Sequence, residues 1–262
     1  FLSNTLGNAF GSLCTGWLKT TWSFPKIGTF AFGGLFILIG LAIAFIPSTR
    51  LSNNGTTDNH VDNGSTWTAY KPLLLRKDIW LLLSLRLTIT TFWGMATLAI
   101  PLLIYRVSNS ESLPAYFAAV SLVVAAIFQL GTGFISDRTG HRSPLIVSTI
   151  GILLSTFGLA LFPTSLVGVF VSGTFLTGTA WSVSTLVPKL INEVSNSNER
   201  NRVVGLGHLA WSISMFSGNL IGGYLIDIYV GLPFFVGCIL TTLGIFFSRK
   251  LCRHLDNVKC KS

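Results

Sequence analysis

Residues 113–162 read LPAYFAAVSLVVAAIFQLGTGFISDRTGHRSPLIVSTIGILLSTFGLALF. Two apolar runs of about twenty residues, which we place at 114–136 and 144–162, flank a short charged segment. Backbone groups inside a bilayer must hydrogen-bond within their own structure, so spanning segments are helices or strands of closed barrels. Barrel strands alternate apolar and polar residues over about ten positions. Because these runs are continuously apolar, the sequence predicts two membrane-spanning helices joined by a tight turn.

The same pattern extends over the rest of the chain, which is 50% hydrophobic and only 10% charged. A soluble domain has about 25% charged residues. The sequence therefore predicts an all-α integral membrane protein with about eight transmembrane helices. We place these spans at 1–18, 28–46, 79–105, 114–136, 144–162, 166–191, 203–226 and 233–247.

A polar stretch at 47–78 divides the predicted spans into two before it and six after it. Its segment 48–66 is rich in Asn, Gly, Thr and Asp, so it cannot bury enough apolar area to fold alone. We predict four units: two helices over 1–46, a central linker over 47–78, a six-helix bundle over 79–248 and a basic tail over 249–262.

The net charge of +9 could suggest a nucleic-acid partner, but the Lys and Arg residues do not form one clustered face. With the linker, two loops and the tail on one side, that side holds fourteen Lys and Arg, against Lys19, Lys26 and Arg106 on the other. Cytoplasmic loops carry this excess, so the first side is predicted to be cytoplasmic and the protein to be multi-pass in the plasma membrane. No nucleic acid, cofactor, metal site or catalytic residue is expected.

An internal repeat predicts helices before Phe1. Gly11–Leu18 (GSLCTGWL) aligns with Gly218–Leu225 (GNLIGGYL) at an offset of 207 residues (218 − 11), and a loop, a proline and a further span follow each copy. If the offset holds throughout, about 130 residues and four spans would precede Phe1, which gives two sets of six helices, as in transporters built from repeats. The missing N-terminal helices would then be a partner of this chain.

The charged turn at 133–142 has the form G-x-x-x-D-R-x-G-x-R. Gly133 lets two helices approach closely, and Gly140 supplies a turn conformation that other residues resist. Asp137 beside Arg138 places paired charges at the membrane edge, where they can cap helix ends. A plain positive-inside loop with a capping Asp is the alternative, but the two glycines in this position favour a specific loop motif.

This decapeptide resembles the loop motif of the major facilitator superfamily, found between helices 2 and 3 and between helices 8 and 9. The resemblance covers the whole chain as helices 5 to 12, with this loop between helices 8 and 9. It implies that this loop, with Gly133 and Gly140, acts as a cytoplasmic latch for the outward-facing state. Asp137 would then face the start of helix 11 near Arg202. Arg138 or Arg142 would meet Glu193 at the end of helix 10.

A second resemblance concerns the first span. The pattern of Gly7, Gly11 and Gly16 in Gly-x3-Gly-Ser-x2-Thr-Gly is similar to the helix-5 motif of the family's drug antiporters, G-x3-G-P-x2-G-G. Ser12 stands where that motif has proline and Thr15 where it has glycine, so the kink of the motif is absent and antiport is in doubt. The alternative is helix packing through small residues, for which Gly218, Gly222 and Gly223 are further candidates in the seventh span.

Charged residues within a membrane are costly and are typical of functional sites. Arg86 is the one such residue well inside a predicted span, with Thr90 and Trp93 on roughly the same helical face. Arg86 could line a substrate cavity, or it could extend its guanidinium back to the cytoplasmic edge.

Further candidates for the substrate cavity are Gln129, Trp181 and Asn219. Each of them could instead form a helix–helix hydrogen bond or an interfacial anchor.

We therefore interpret the chain as part of a secondary transporter, not an enzyme, that moves a small organic solute by alternating access. Aromatic-rich spans and the altered helix-5 motif favour efflux of a drug or metabolite. The alternative is an uptake permease for an organic anion anchored on Arg86, and a membrane sensor or channel is a more remote one. No acidic residue lies mid-span in this sequence, so coupling to a proton or ion is left open.

Overall fold

The computed structural model describes residues 2–21, 33, 34, 37 and 66–259, and within them it contains helices and no strand. The helices in chain order are α1 (Leu2–Thr21), α2 (Thr66–Leu75), α3 (Lys77–Ser108), α4 (Leu113–Thr139), α5 (Arg142–Leu161), α6 (Leu166–Val194), α7 (Arg200–Ile228) and α8 (Leu232–Lys259).

Six of these helices, α3 to α8, are long and apolar enough to cross a membrane, counted over the described residues. The six predicted spans from residue 79 onward each coincide with one of them; only the span 144–162 extends one residue beyond its helix. The first predicted span, 1–18, corresponds to α1, a helix of 20 residues that is not one of the six. The second, 28–46, lies outside the described residues apart from three positions. The prediction of an all-α membrane protein is confirmed.

Helix α3 is the centre of the bundle. It packs against α7 and α8 and, less extensively, against α6 and α4. Its large side chains Phe92, Met95, Leu103 and Ile104 are almost fully buried, which is unusual for a lipid-facing helix but follows from this central position. Helices α5 and α6 pack on each other around it, and α1 lies along α4.

The crossing of α3 and α7 is built on glycines. A Cβ added at Gly218 would collide with the carbonyl oxygen of Thr91, and one at Gly222 would lie 2.8 Å from Met95 Cα. From the other side, a Cβ at Gly94 would lie 2.8 Å from the carbonyl oxygen of a residue in α7. Backbones this close need residues without side chains, as in small-residue contacts between membrane helices.

The other glycines predicted for packing differ from one another. A Cβ at Gly16 would lie 3.1 Å from a side chain of α4, and one at Gly223 would lie 3.3 Å from a side chain of α3. A Cβ at Gly7 or Gly11 would meet no atom of the described residues within 4 Å, so a packing role for these two remains a prediction.

Two helical segments occupy stretches that the sequence analysis assigned to connections. Helix α2 lies within the predicted linker and buries Leu73 against the core, because its end is the apolar run Leu73–Leu75. Helix α8 continues through most of the predicted basic tail, where Leu251, Cys252 and Leu255 are buried. Apolar residues three to four positions apart keep one face of this extension against the bundle.

Candidate functional site

A cavity of about 100 Å³ lies between α3, α6 and α7. Arg86 is roughly 14 Å along α3 from Lys77, and Trp181 is roughly 20 Å along α6 from Val194, so the cavity lies far from the ends of these helices. Its wall is mostly apolar and aromatic. The lining residues are Leu82, Leu85, Arg86, Ile89, Thr90, Trp93, Ala180, Trp181, Val183, Ser184, Val187 and Trp211.

Four of the six predicted cavity residues meet here: Arg86, Thr90 and Trp93 from α3, and Trp181 from α6. The three from α3 share a face because they are four and seven positions apart. Arg86 Nε is buried, which favours the cavity-facing alternative over extension to the membrane edge. Neither Arg86 Nε nor Trp181 Nε1 has a hydrogen-bond partner among the described residues.

Gln129 and Asn219 do not line this cavity. Gln129 is buried between α4 and α1, where its Oε1 accepts a hydrogen bond of 3.0 Å from the Thr5 hydroxyl. The Asn219 side chain donates to the carbonyl of Met215 in its own helix, at 2.9 Å. For Gln129 the structure supports the alternative of a helix–helix hydrogen bond, whereas the bond of Asn219 stays within α7.

Trp211 of α7 lines the cavity although the sequence analysis did not single it out. Seven tryptophans occur in the chain, and the sequence does not show which of them face inward. The glycine contact with α3 fixes how α7 is rotated about its own axis, and this rotation places Trp211 in the same cavity lining as Arg86.

The loop between α4 and α5 carries the G-x-x-x-D-R-x-G-x-R motif. Gly140 ends α4 with φ of 81° and ψ of 176°, a conformation almost confined to glycine, as the sequence predicts. The close helix approach expected at Gly133 is not made by the described residues, since a Cβ there would meet no atom within 4 Å.

The charged residues of this loop have other partners than those that the family resemblance implied. Asp137 pairs with Lys189 at 3.4 Å instead of lying against Arg202. Helix α7 packs chiefly against α3, whereas Asp137 stands beside the end of α6. Glu193 contacts His141 Nδ1 at 3.0 Å, whereas the resemblance implied an arginine of the loop as its partner.

The two loop arginines point elsewhere. The guanidinium of Arg138 lies 3.9 Å from the centre of the exposed Phe134 ring, one turn earlier in α4. Arg142 pairs with Asp256 of the α8 extension at 2.8 Å. The sequence analysis missed Asp256 because it treated the tail as separate from the bundle.

A further charge cluster, which we call the Arg76 cluster, joins the start of α3 to the loop before α7. Arg76 pairs with Asp78 at 2.7 Å and with Glu199, and it donates to the carbonyl of Val194 at 2.6 Å. The backbone N–H of Asn196 and the Arg76 guanidinium together lower the pKa of Glu199. Hydrogen bonds and charge interactions with Asp78 and Glu199 raise the pKa of Arg76.

All of these ion pairs join helix ends that the charge count placed on one side of the membrane. We call this side, formed by the start of α3, the α4–α5 and α6–α7 loops and the end of α8, the basic face. At the opposite face Arg106 pairs with Asp227 at 3.4 Å. The alternation of the helices between two faces therefore agrees with the sequence analysis.

In the described residues, six helices long and apolar enough to cross a membrane, with a cavity between three of them, indicate a multi-pass membrane protein. A sequence profile of the Major Facilitator Superfamily matches residues 1–191, and the chain belongs to this family of membrane transporters.

Two relatives from Escherichia coli are similar to parts of the chain. The class B tetracycline resistance protein is 25% identical over 171 residues, which cover 63% of this chain and 42% of that protein. The class C tetracycline resistance protein is 24% identical over 156 residues, or 58% of this chain and 39% of its own length. The chain thus spans about two fifths of the length of these curated relatives.

Proposed function

We propose that the chain is part of a secondary transporter that moves a small amphipathic organic solute out of the cytoplasm by alternating access. The observation that carries this proposal is the cavity deep in the bundle, whose wall combines apolar and aromatic side chains with Arg86. Solute sites of this kind lie near the bilayer midplane between helices. Membership of the superfamily and the similarity to two resistance proteins support a transporter and favour efflux.

In this proposal the basic face is cytoplasmic, because it holds the excess of Lys and Arg. Ion pairs at this face then close the bundle on the cytoplasmic side. Each exposed pair contributes about 1 kcal/mol or less, enough to bias two states that differ by a few kcal/mol without fixing either.

Counterflow tests the carrier mechanism. Liposomes that contain the purified chain and are loaded with unlabelled solute are expected to accumulate a labelled trace of it transiently, with a rate that saturates. Protein-free liposomes are the control. Flux that rises linearly with concentration and shows no counterflow would instead indicate a channel.

The latch proposal predicts that Asp137→Asn slows transport and leaves stability unchanged. Asp137 is 81% exposed, so the loss of its pair with Lys189 should cost less than about 1 kcal/mol. Asp227→Asn is a matched control, because its pair with Arg106 is also 3.4 Å long, its side chain is 75% exposed, and it lies at the opposite face. Initial transport rates and thermal unfolding of both variants provide the comparison. Equal rates in Asp137→Asn and wild type would remove the latch role.

Uptake of an organic anion is a second candidate function, and the position of Arg86 in the cavity favours it. Direction separates the two candidates. Cells that express an exporter hold less of a labelled solute than control cells, whereas cells that express an uptake permease hold more.

A further inference from the structure

The cavity holds a cation for which the described residues provide no anion. Arg86 Nε is buried without a hydrogen-bond partner, and no carboxylate of the described residues forms an ion pair with this side chain. A guanidinium stays protonated in proteins. The Arg86 side chain is half-buried at a largely apolar cavity, where an acidic group of a ligand would supply the counter-charge that the described residues do not.

A second unpaired donor belongs to a residue that lines the same cavity. Trp181 Nε1 is buried and, like Arg86 Nε, lacks a partner in the described part of the chain. An indole N–H can only donate. The unpaired donors of Arg86 and Trp181, the first of them charged, would be satisfied by a negatively charged ligand group with two acceptor oxygens. A carboxylate is such a group.

The rest of the wall selects for an aromatic body. Trp93, Trp181 and Trp211 bring three indole rings to one cavity, and aliphatic side chains such as Ile89 and Val187 fill the space between them. Aromatic rings pair favourably in stacked or edge-to-face geometry. An apolar cavity of about 150 Å³ binds benzene, so about 100 Å³ accommodates a body no larger than roughly one ring, with further parts of the ligand extending out.

We infer that this cavity binds aromatic organic acids, with the acid group on Arg86 and Trp181 and the ring among the three tryptophans. This inference rests on the proposed function, since it names the substrate class of that site. The charge of Arg86 also disfavours aromatic cations, which would otherwise suit a site lined by tryptophans.

Binding of benzoate and of its neutral analogue benzamide to the purified chain tests the inference. Both have the same single ring, so their difference in affinity reports the acid group. We expect benzoate to bind wild type at least about 10-fold more tightly, because its hydrogen bonds to Arg86 are charge-assisted. Arg86→Gln should remove this difference by weakening benzoate alone, Arg86→Lys should keep part of it, and Trp181→Phe should weaken benzoate a few-fold.

Arg253→Gln is the control variant, because Arg253 is exposed on the α8 extension and far from the cavity lining. Equal affinity of wild type for the two probes, no binding of either, or unchanged benzoate binding in Arg86→Gln would overturn the inference. Thermal unfolding identifies variants that fail to fold, and Arg86→Lys then carries the test. Binding is measured without transport, so a failure of counterflow contradicts the transporter proposal alone, whereas a failure of benzoate binding contradicts only the ligand class.

Discussion

Replacing Gly218 by alanine is expected to lower the free energy of unfolding by about 2 kcal/mol or more, the range of overpacking in a tight core. The new methyl group would collide with the carbonyl oxygen of Thr91 and lie 3.1 Å from Gly94 Cα. A side chain could relieve such a clash by changing its rotamer, but backbone atoms cannot. Helices α3 and α7 would therefore have to move apart. Because these helices carry Arg86 and Trp211 to the cavity, ligand binding should weaken as well.

Gly205→Ala is the matched control in the same helix. A Cβ at Gly205 meets no atom of the described residues within 4 Å, and alanine is favoured over glycine in a helix by about 0.5–1 kcal/mol. This variant should therefore be as stable as wild type or more so. Thermal unfolding in detergent, followed by tryptophan fluorescence, compares the two. Equal stability of Gly218→Ala and Gly205→Ala would show that the α3–α7 crossing is not tight.

The sequence predicts the six described spans because each is a run of apolar residues about as long as a bilayer is thick. It also indicates Gly218 and Gly222, whose spacing of four places both on one helical face. Gly94 is part of the same crossing, but a single glycine within an apolar helix has no such spacing to distinguish it. Helix α2 was not predicted because it is short and follows a polar stretch.

Contacts between side chains were harder to predict than the helices. Arg86 could be proposed because a charge inside a span is costly and typical of functional sites, and Thr90 and Trp93 because they share its helical face. Trp181 was one of several polar or aromatic candidates. Gln129 was placed in the same group, yet it bonds to Thr5 across the α1–α4 contact. The partners of Asp137 and Glu193 depend on where α6 ends and on which of its side chains point towards the α4–α5 loop. Neither can be predicted from the hydropathy of the sequence. The sequence thus predicts the helices and some of the residues with functional side chains. Contacts between side chains far apart in the sequence become known only from the packing of the helices.

The Arg76 cluster should stabilise the bundle more than the exposed ion pairs do, because one guanidinium bonds to two carboxylates and a backbone carbonyl. Its removal in Arg76→Gln leaves Asp78 and Glu199 as close like charges without their cation. We expect a loss of about 2 kcal/mol, typical of hydrogen bonds to charged groups. Arg142→Gln is the control, since it breaks one exposed pair with Asp256 and should cost less than about 1 kcal/mol.

The dependence of stability on pH gives an independent test of the same cluster. The pKa of Glu199 is lowered in the folded protein, so its contribution is present above the unfolded value of about 4.3 and is lost as the pH falls through the folded value. Wild type should therefore lose stability on acidification below about pH 4.3, and Arg76→Gln should lose less, because one cause of the lowered pKa is already absent. Thermal unfolding from pH 7 to pH 3 measures both slopes. Parallel slopes in the two proteins would mean that Arg76 does not hold Glu199 in its charged form, and that the start of α3 is tied to α6 and α7 by apolar contacts alone.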